Sequence, residues 1–109
     1  MIKKFNVTVT IDRPIGYIDS HKNYYPINYG YVKGILAKDG EWQDAYILSD
    51  SPITTHTING EVIAIIVRKN DVEDKWVVRS NDKEYTEKEI VDSTNFIEQY
   101  FDSTVYLLD

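Results

Sequence analysis

The chain reads as a single α+β domain spanning residues 1–109: several short strands form a small, partly open antiparallel β-barrel, and one C-terminal α-helix packs on it. Three observations predict this. "FNVTVTI" near the N-terminus alternates apolar and polar side chains and is rich in β-branched residues. The Asp39-Gly40 pair lies between two strand-like runs and is a hairpin turn signal, because glycine accepts a positive φ. Past residue 85 the spacing of apolar residues changes from that of a strand to that of a helix.

Taken in order, the first strand ends at "DRPIG", where Pro14 and Gly16 break the alternation. "GYIDSHKNYYP" is polar and aromatic without a period and reads as a loop, with Pro26 biasing Tyr25 towards extended backbone. "INYGYVKGIL" and "DAYIL" are the two arms of the Asp39-Gly40 hairpin. "SPITTHTING" is turn and edge-strand material. "EVIAIIVR" is a continuous apolar run of the kind buried on both faces, which makes it the core strand. The charged "KNDVEDK" then connects to a further strand, "WVVRS". In "TEKEIVDSTNFIEQYFDS", Thr86 and Glu89 form a T-x-x-E capping box, and Ile90, Ser93, Ile97, Tyr100 and Phe101 fall near one helical face. "TVYLL" adds a last extended piece.

Composition removes several function classes. No Pro/Gly/Ser-rich stretch divides the 109 residues, so one core is expected. Eighteen acids against 12 bases give a formal charge of −6, a field that repels nucleic acid and anionic membrane surfaces. The absence of cysteine removes disulfides, thiolate nucleophiles and zinc ribbons, so a metal site would use oxygen ligands, with or without histidine. Neither a signal-type apolar segment nor a membrane-length apolar run is present, and the expectation is a soluble cytoplasmic protein. His21 and His56 fall in loops without an acid-histidine motif and read as surface residues; G-x-S-x-G, Walker A and G-x-G-x-x-G motifs are absent.

The residues that could carry chemistry are acidic. Asp39, Glu41 and Asp44 are crowded into six positions, and Asp71, Glu73 and Asp74 into four. Each group has two readings. A turn and its hydrated rim account for the acids without any ligand. A hard divalent cation, which prefers oxygen donors and commonly uses one or two carboxylates, accounts for them equally. Were the two acidic connections to meet at one end of a barrel, their mutual repulsion would call for cations. Arg13 at a strand end, Lys75, and the tyrosines around residues 24–31 could supply an anion site, though tyrosines on strands are also ordinary packing residues.

The segment "YYPINYGYVKGILAKDGEWQDAYIL" resembles the signature region of the magnesium-using soluble inorganic pyrophosphatases. Tyr25, Pro26, Asn28, Tyr29, Gly30 and Tyr31 match that family's Y-P-x-N-Y-G-Y/F segment, and Asp39, Gly40 and Asp44 match its D-G-D-P-x-D at the same distance. "IDR" at 11–13, "DVEDK" before "WVV", and "FIEQYFDS" resemble further family elements, so the likeness covers most of the chain. It implies an OB-like β-barrel that hydrolyses pyrophosphate by attack of a metal-activated water, without a covalent intermediate. It further implies Mg²⁺, or Mn²⁺, held by Asp39, Glu41, Asp44, Asp71 and Asp74. Glu41 and Asp44 are the implied catalytic carboxylates, Glu41 orienting the water, and Arg13, Tyr29, Lys75 and Tyr100 the implied phosphate contacts.

The chain also departs from the family pattern. Glu41 stands where aspartate is usual, Trp42 where proline is usual, and Phe101 where lysine is common. The loop from Asp71 to Lys75 is shorter, and a strand-borne acid and lysine upstream of Arg13 have no match. A non-catalytic barrel that binds metal and phosphate or nucleotide is therefore the alternative to the hydrolase, while an oligonucleotide-binding barrel conflicts with the acidic charge. Trp42, Trp76 and several tyrosines exceed what so small a core needs, which suits a homo-oligomer.

Overall fold

The computed structural model describes residues 2–109. Its strands are β1 (Phe5–Arg13), β2 (Asn28–Leu36), β3 (Trp42–Leu48), β4 (Thr57–Arg68), β5 (Lys75–Arg79) and β6 (Ser103–Leu107), with helix α1 (Glu87–Glu98) between β5 and β6. The sheet order is β1-β2-β3-β5-β4-β6, and β1 also pairs with β4 from Phe5↔Val62 to Thr10↔Thr57, which closes β1 to β5 into a barrel. No described helix is long and apolar enough to cross a membrane.

Four of the five barrel pairings are antiparallel, as expected, whereas β3 and β5 run parallel, in register from Ala45↔Trp76 to Leu48↔Arg79. The reason is parity: an odd number of strands cannot close with every neighbour antiparallel. The consequence matters for function. Parallel neighbours begin at the same end, so the loops leading into Trp42 and Lys75, the two acidic connections, lie side by side. The Gln43 side-chain amide donates to the Asp74 carbonyl at 2.8 Å, and Lys38 pairs with Asp74 at 3.6 Å across the same gap.

Alternation along each strand divides the buried side chains between two clusters. Val9, Ile11, Val32, Ala45, Ile47, Val62 and Val78, drawn from all five barrel strands, form one. Tyr46, Leu48, Ile63, Ile66 and Val77 point the other way and pack with Ile90 of α1. Both faces of β4 are thus covered, which explains its unbroken apolar run. Close strand contact also dictates one glycine: a Cβ on Gly30 would lie 1.9 Å from the Thr10 carbonyl oxygen, so β2 can approach β1 only without a side chain there. Gly40, at φ +84°, makes the β2–β3 turn, and the Asp39 carboxylate accepts the Glu41 N–H at 3.0 Å.

The capping box forms as expected: the Thr86 hydroxyl accepts the Glu89 N–H at 3.1 Å, and the Glu89 carboxylate accepts the Thr86 N–H at 3.0 Å. The helix ends earlier than the apolar pattern suggests. α1 stops at Glu98, Tyr100 and Phe101 lie in the turn beyond it, and the buried positions are Ile90, Thr94 and Glu98. A buried glutamate is invisible to an apolar pattern; the cause is Arg68, described below.

Candidate anion-binding site

The site begins where β1 ends. A bulge between Ile11 and Arg13 interrupts the β1–β2 register and delivers Arg13 beside the tyrosines of the following loop. Its guanidinium donates to the Tyr25 hydroxyl at 2.5 Å and lies 5.2–5.7 Å from the ring centres of Tyr17, Tyr25 and Tyr29. These rings meet edge to face, with Tyr25 against both Tyr17 and Tyr29. The aromatic run that has no period in sequence is therefore a packed socket for one cation.

From the other side, Lys75 opens β5 with its stem buried and its ammonium in hydrogen-bond contact with Tyr29 Oη at 3.0 Å and Asp44 Oδ2 at 2.6 Å, and also with the Glu73 carboxylate. Two carboxylates share one ammonium here, and their titrations separate. Burial, and then the hydrogen bond to Asp44, push the Glu73 carboxyl up to about 7. Burial alone would raise Asp44 as well, but its bonds to Glu73 and Lys75 hold it below the ordinary aspartate value. Burial, reinforced by the Asp44 charge, holds the Tyr29 phenol well above its usual value, so it stays a neutral donor.

Arg68, the last residue of β4, forms the third wall. Its Nε and Nη2 donate to the two oxygens of Glu98 at 3.0 and 2.5 Å, its Nη1 donates to Asp71 at 3.2 Å, and its guanidinium lies 3.7 Å from the Phe101 ring centre. Tyr46 and Ser103 hydroxyls also donate to Glu98, at 2.5 and 2.6 Å. Burial alone would raise the Glu98 carboxyl, yet its bonds to Arg68, Ser103 and Tyr46 hold it below the ordinary value.

Arg13, Lys75 and Arg68 together with Tyr25, Tyr29 and Tyr100 line one cavity of about 480 Å³. The loop from 14 to 27 forms its rim. The Asp19 carboxylate gathers the N–H groups of His21 and Asn23 at 2.9 Å each and the Asn23 amide at 3.1 Å, which shapes the loop and brings His21 and Asn23 to the cavity. Tyr100 meets Asn23 across the opening, 3.4 Å from hydroxyl to Oδ1.

Of the residues singled out in the sequence, Arg13, Tyr29, Lys75 and Tyr100 come together here. Asp44 joins them through Lys75. Asp71 reaches the cavity wall through Arg68 in the same way, whereas Asp39 and Glu41 are exposed on the β2–β3 turn and Asp74 is paired with Lys38. Among the described residues no three His, Asp or Glu side chains are gathered as a cation cage. Arg68 and Glu98 were not identified from sequence, and His21, read there as a surface residue, is exposed at the rim of the cavity. The first two carry no motif and are charged residues in apolar surroundings, so only a long-range pairing of β4 with α1 could have signalled them.

No protein-family profile matches the sequence, and no curated protein does so significantly. Solved structures do. An inorganic pyrophosphatase from Ehrlichia chaffeensis superposes with a TM-score of 0.65 at 18% identity, covering 97% of this chain and 86% of its own. The inorganic pyrophosphatase from Neisseria gonorrhoeae gives 0.64 at 18% identity, over 87% and 73%, and that from Thermus thermophilus 0.62 at 15%, over 95% and 80%. The chain has the inorganic-pyrophosphatase fold, a closed five-stranded OB-like barrel with one helix.

Proposed function

We propose that the chain binds a phosphoric anhydride, pyrophosphate being the simplest, in the cavity between Arg13 and Lys75, and hydrolyses it to phosphate. The carrying observation is the cavity lining: Arg13, which among the described residues has no carboxylate partner, stands beside three phenols and beside Lys75 and Arg68, whose charges are shared with buried or half-buried carboxylates, with Asp19 as the one acid on the lining. Arg13 presents a planar fork suited to two phosphate oxygens, with its orientation fixed by Tyr25. Lys75 adds a point charge, and neutral Tyr29 and Tyr100 offer O–H donors. Such groups stabilise the charge that builds on the departing phosphate as the anhydride bond breaks.

The oxygen donors that would hold a divalent ion, Mg²⁺ or Mn²⁺, in this reading are the Asp44 and Glu73 carboxylates, both of which meet the Lys75 ammonium. When bound, such an ion shields the anhydride charge and acidifies a water. Among the described residues the five carboxylates implied by the resemblance are not gathered as one cage, and in this reading Asp44, one of the two implied catalytic acids, is the one tied to the anion pocket through Lys75.

A second reading is favoured by Lys75, which already satisfies the two carboxylates a metal would use: the barrel binds the anhydride without turnover. Phosphate release from pyrophosphate with and without Mg²⁺, beside an Asp44→Asn control, separates them, with calorimetric titration of pyrophosphate run in parallel. Mg²⁺-dependent release above the control supports the hydrolase. Binding without release leaves the binding module, and the absence of both removes the anion site.

A further inference from the structure

We infer that the anhydride this cavity takes carries a planar organic group on one phosphate, as a nucleoside diphosphate does, and that Phe101 and Tyr100 form the wall for that group. The inference rests on the anion-site reading above and names its substrate class. A cavity of about 480 Å³ falls within the roughly 300–1,000 Å³ that surrounds a drug-sized organic ligand. Two linked phosphates displace only about four waters, each with a share near 30 Å³, and leave most of that space unfilled.

Beside Arg13, Lys75 and Tyr29, and the polar Asp19, His21 and Asn23, the lining includes Ile97, Tyr100 and Phe101, an apolar and aromatic surface that inorganic pyrophosphate has no atoms to use. Phe101 is fixed in place. Its ring is stacked on the Arg68 guanidinium, and that guanidinium is held by both oxygens of Glu98, so protein contacts set the ring's position at the cavity. A ring lying on a cation suits a second, electron-rich ring. Tyr100, 64% exposed at the cavity mouth, has apolar surface that no core contact covers. Preorganised aromatic surface beside a phosphate socket selects for a base attached to phosphates over the bare anhydride.

The test is calorimetric titration of the full chain with ADP and with pyrophosphate, repeated on Phe101→Leu, which keeps apolar bulk against Arg68. The expected result is tighter binding of ADP than of pyrophosphate, with the ratio of the two affinities falling roughly tenfold in the variant, in the range that base–aromatic stacking supplies. A circular-dichroism melt of the variant confirms that it folds; Phe101→Met, which also removes the ring, serves if it does not. Pyrophosphate binding that equals or exceeds ADP binding, or a ratio unchanged in the variant, overturns the inference while leaving the anion site intact. Failure to bind either ligand overturns both.

Discussion

Single side chains in this molecule bear unequal burdens. Arg13 is half-buried in a socket of three tyrosine rings, and its use to the site is geometric as much as electrostatic. Arg13→Lys keeps the charge but loses the fork, and the expected outcome is pyrophosphate affinity reduced about tenfold by calorimetry with the thermal midpoint little changed. Glu98 is the opposite case, a buried anion with four hydrogen bonds, two of them from the bidentate Arg68. Glu98→Gln leaves Arg68 partly uncompensated, and urea unfolding should show a loss of about 3 kcal/mol. Its titration adds a pH signature. The folded carboxyl lies below its unfolded value, so the contribution is complete above the ordinary glutamate pKa and disappears as pH falls through the folded one. Stability measured from pH 6 downward should therefore fall less steeply in the glutamine variant than in the parent.

At the scale of elements, the β1–β2 approach and the α1 start are the points where one atom decides the outcome. Gly30→Ala forces a methyl group into the Thr10 carbonyl, and the only relief is separation of two paired strands. A loss of about 3 kcal/mol or more by urea unfolding is expected, and a near-neutral result would mean that the β1–β2 register differs from the one described. Thr86→Ala removes half of a reciprocal cap and should cost about 1 kcal/mol. The two acidic connections belong to this scale too. Each looks like a solvated loop by itself; the parallel β3–β5 pair makes them neighbours, and Lys38 and Lys75 then sit between acids that would otherwise repel.

At the scale of the whole molecule, binding and stability are linked. A ligand that enters the cavity contacts the end of β1, the start of β5 and the turn after α1, so it ties together elements distant in sequence. Pyrophosphate at a hundredfold excess over its Kd should add about 2.7 kcal/mol, which for a domain of this size raises the thermal midpoint by roughly 10 °C. The same concentration of sulfate, which lacks the second charged centre, should give a smaller shift in the same melt.

Local features were legible in the amino-acid order because they depend on near neighbours: the β1 alternation, the Asp39-Gly40 turn, the two-faced burial of β4, the Thr86–Glu89 cap. Arg13, Tyr29, Lys75 and Tyr100, singled out through the family resemblance, line one cavity, and their contact with phosphate is the proposal made above. What tertiary structure alone decided is the pairing of charges. The sequence presents Asp39, Glu41, Asp44, Asp71 and Asp74 as equals, and folding distributes them: Asp44 to Lys75, Asp71 to Arg68, Asp74 to Lys38, with Asp39 and Glu41 left in solvent. It likewise buried Glu98 against Arg68, thirty residues away. Turns and periodicity are set within a few residues by backbone geometry, whereas the partner of a charge depends on which strands the barrel makes adjacent, and that is a property of closure.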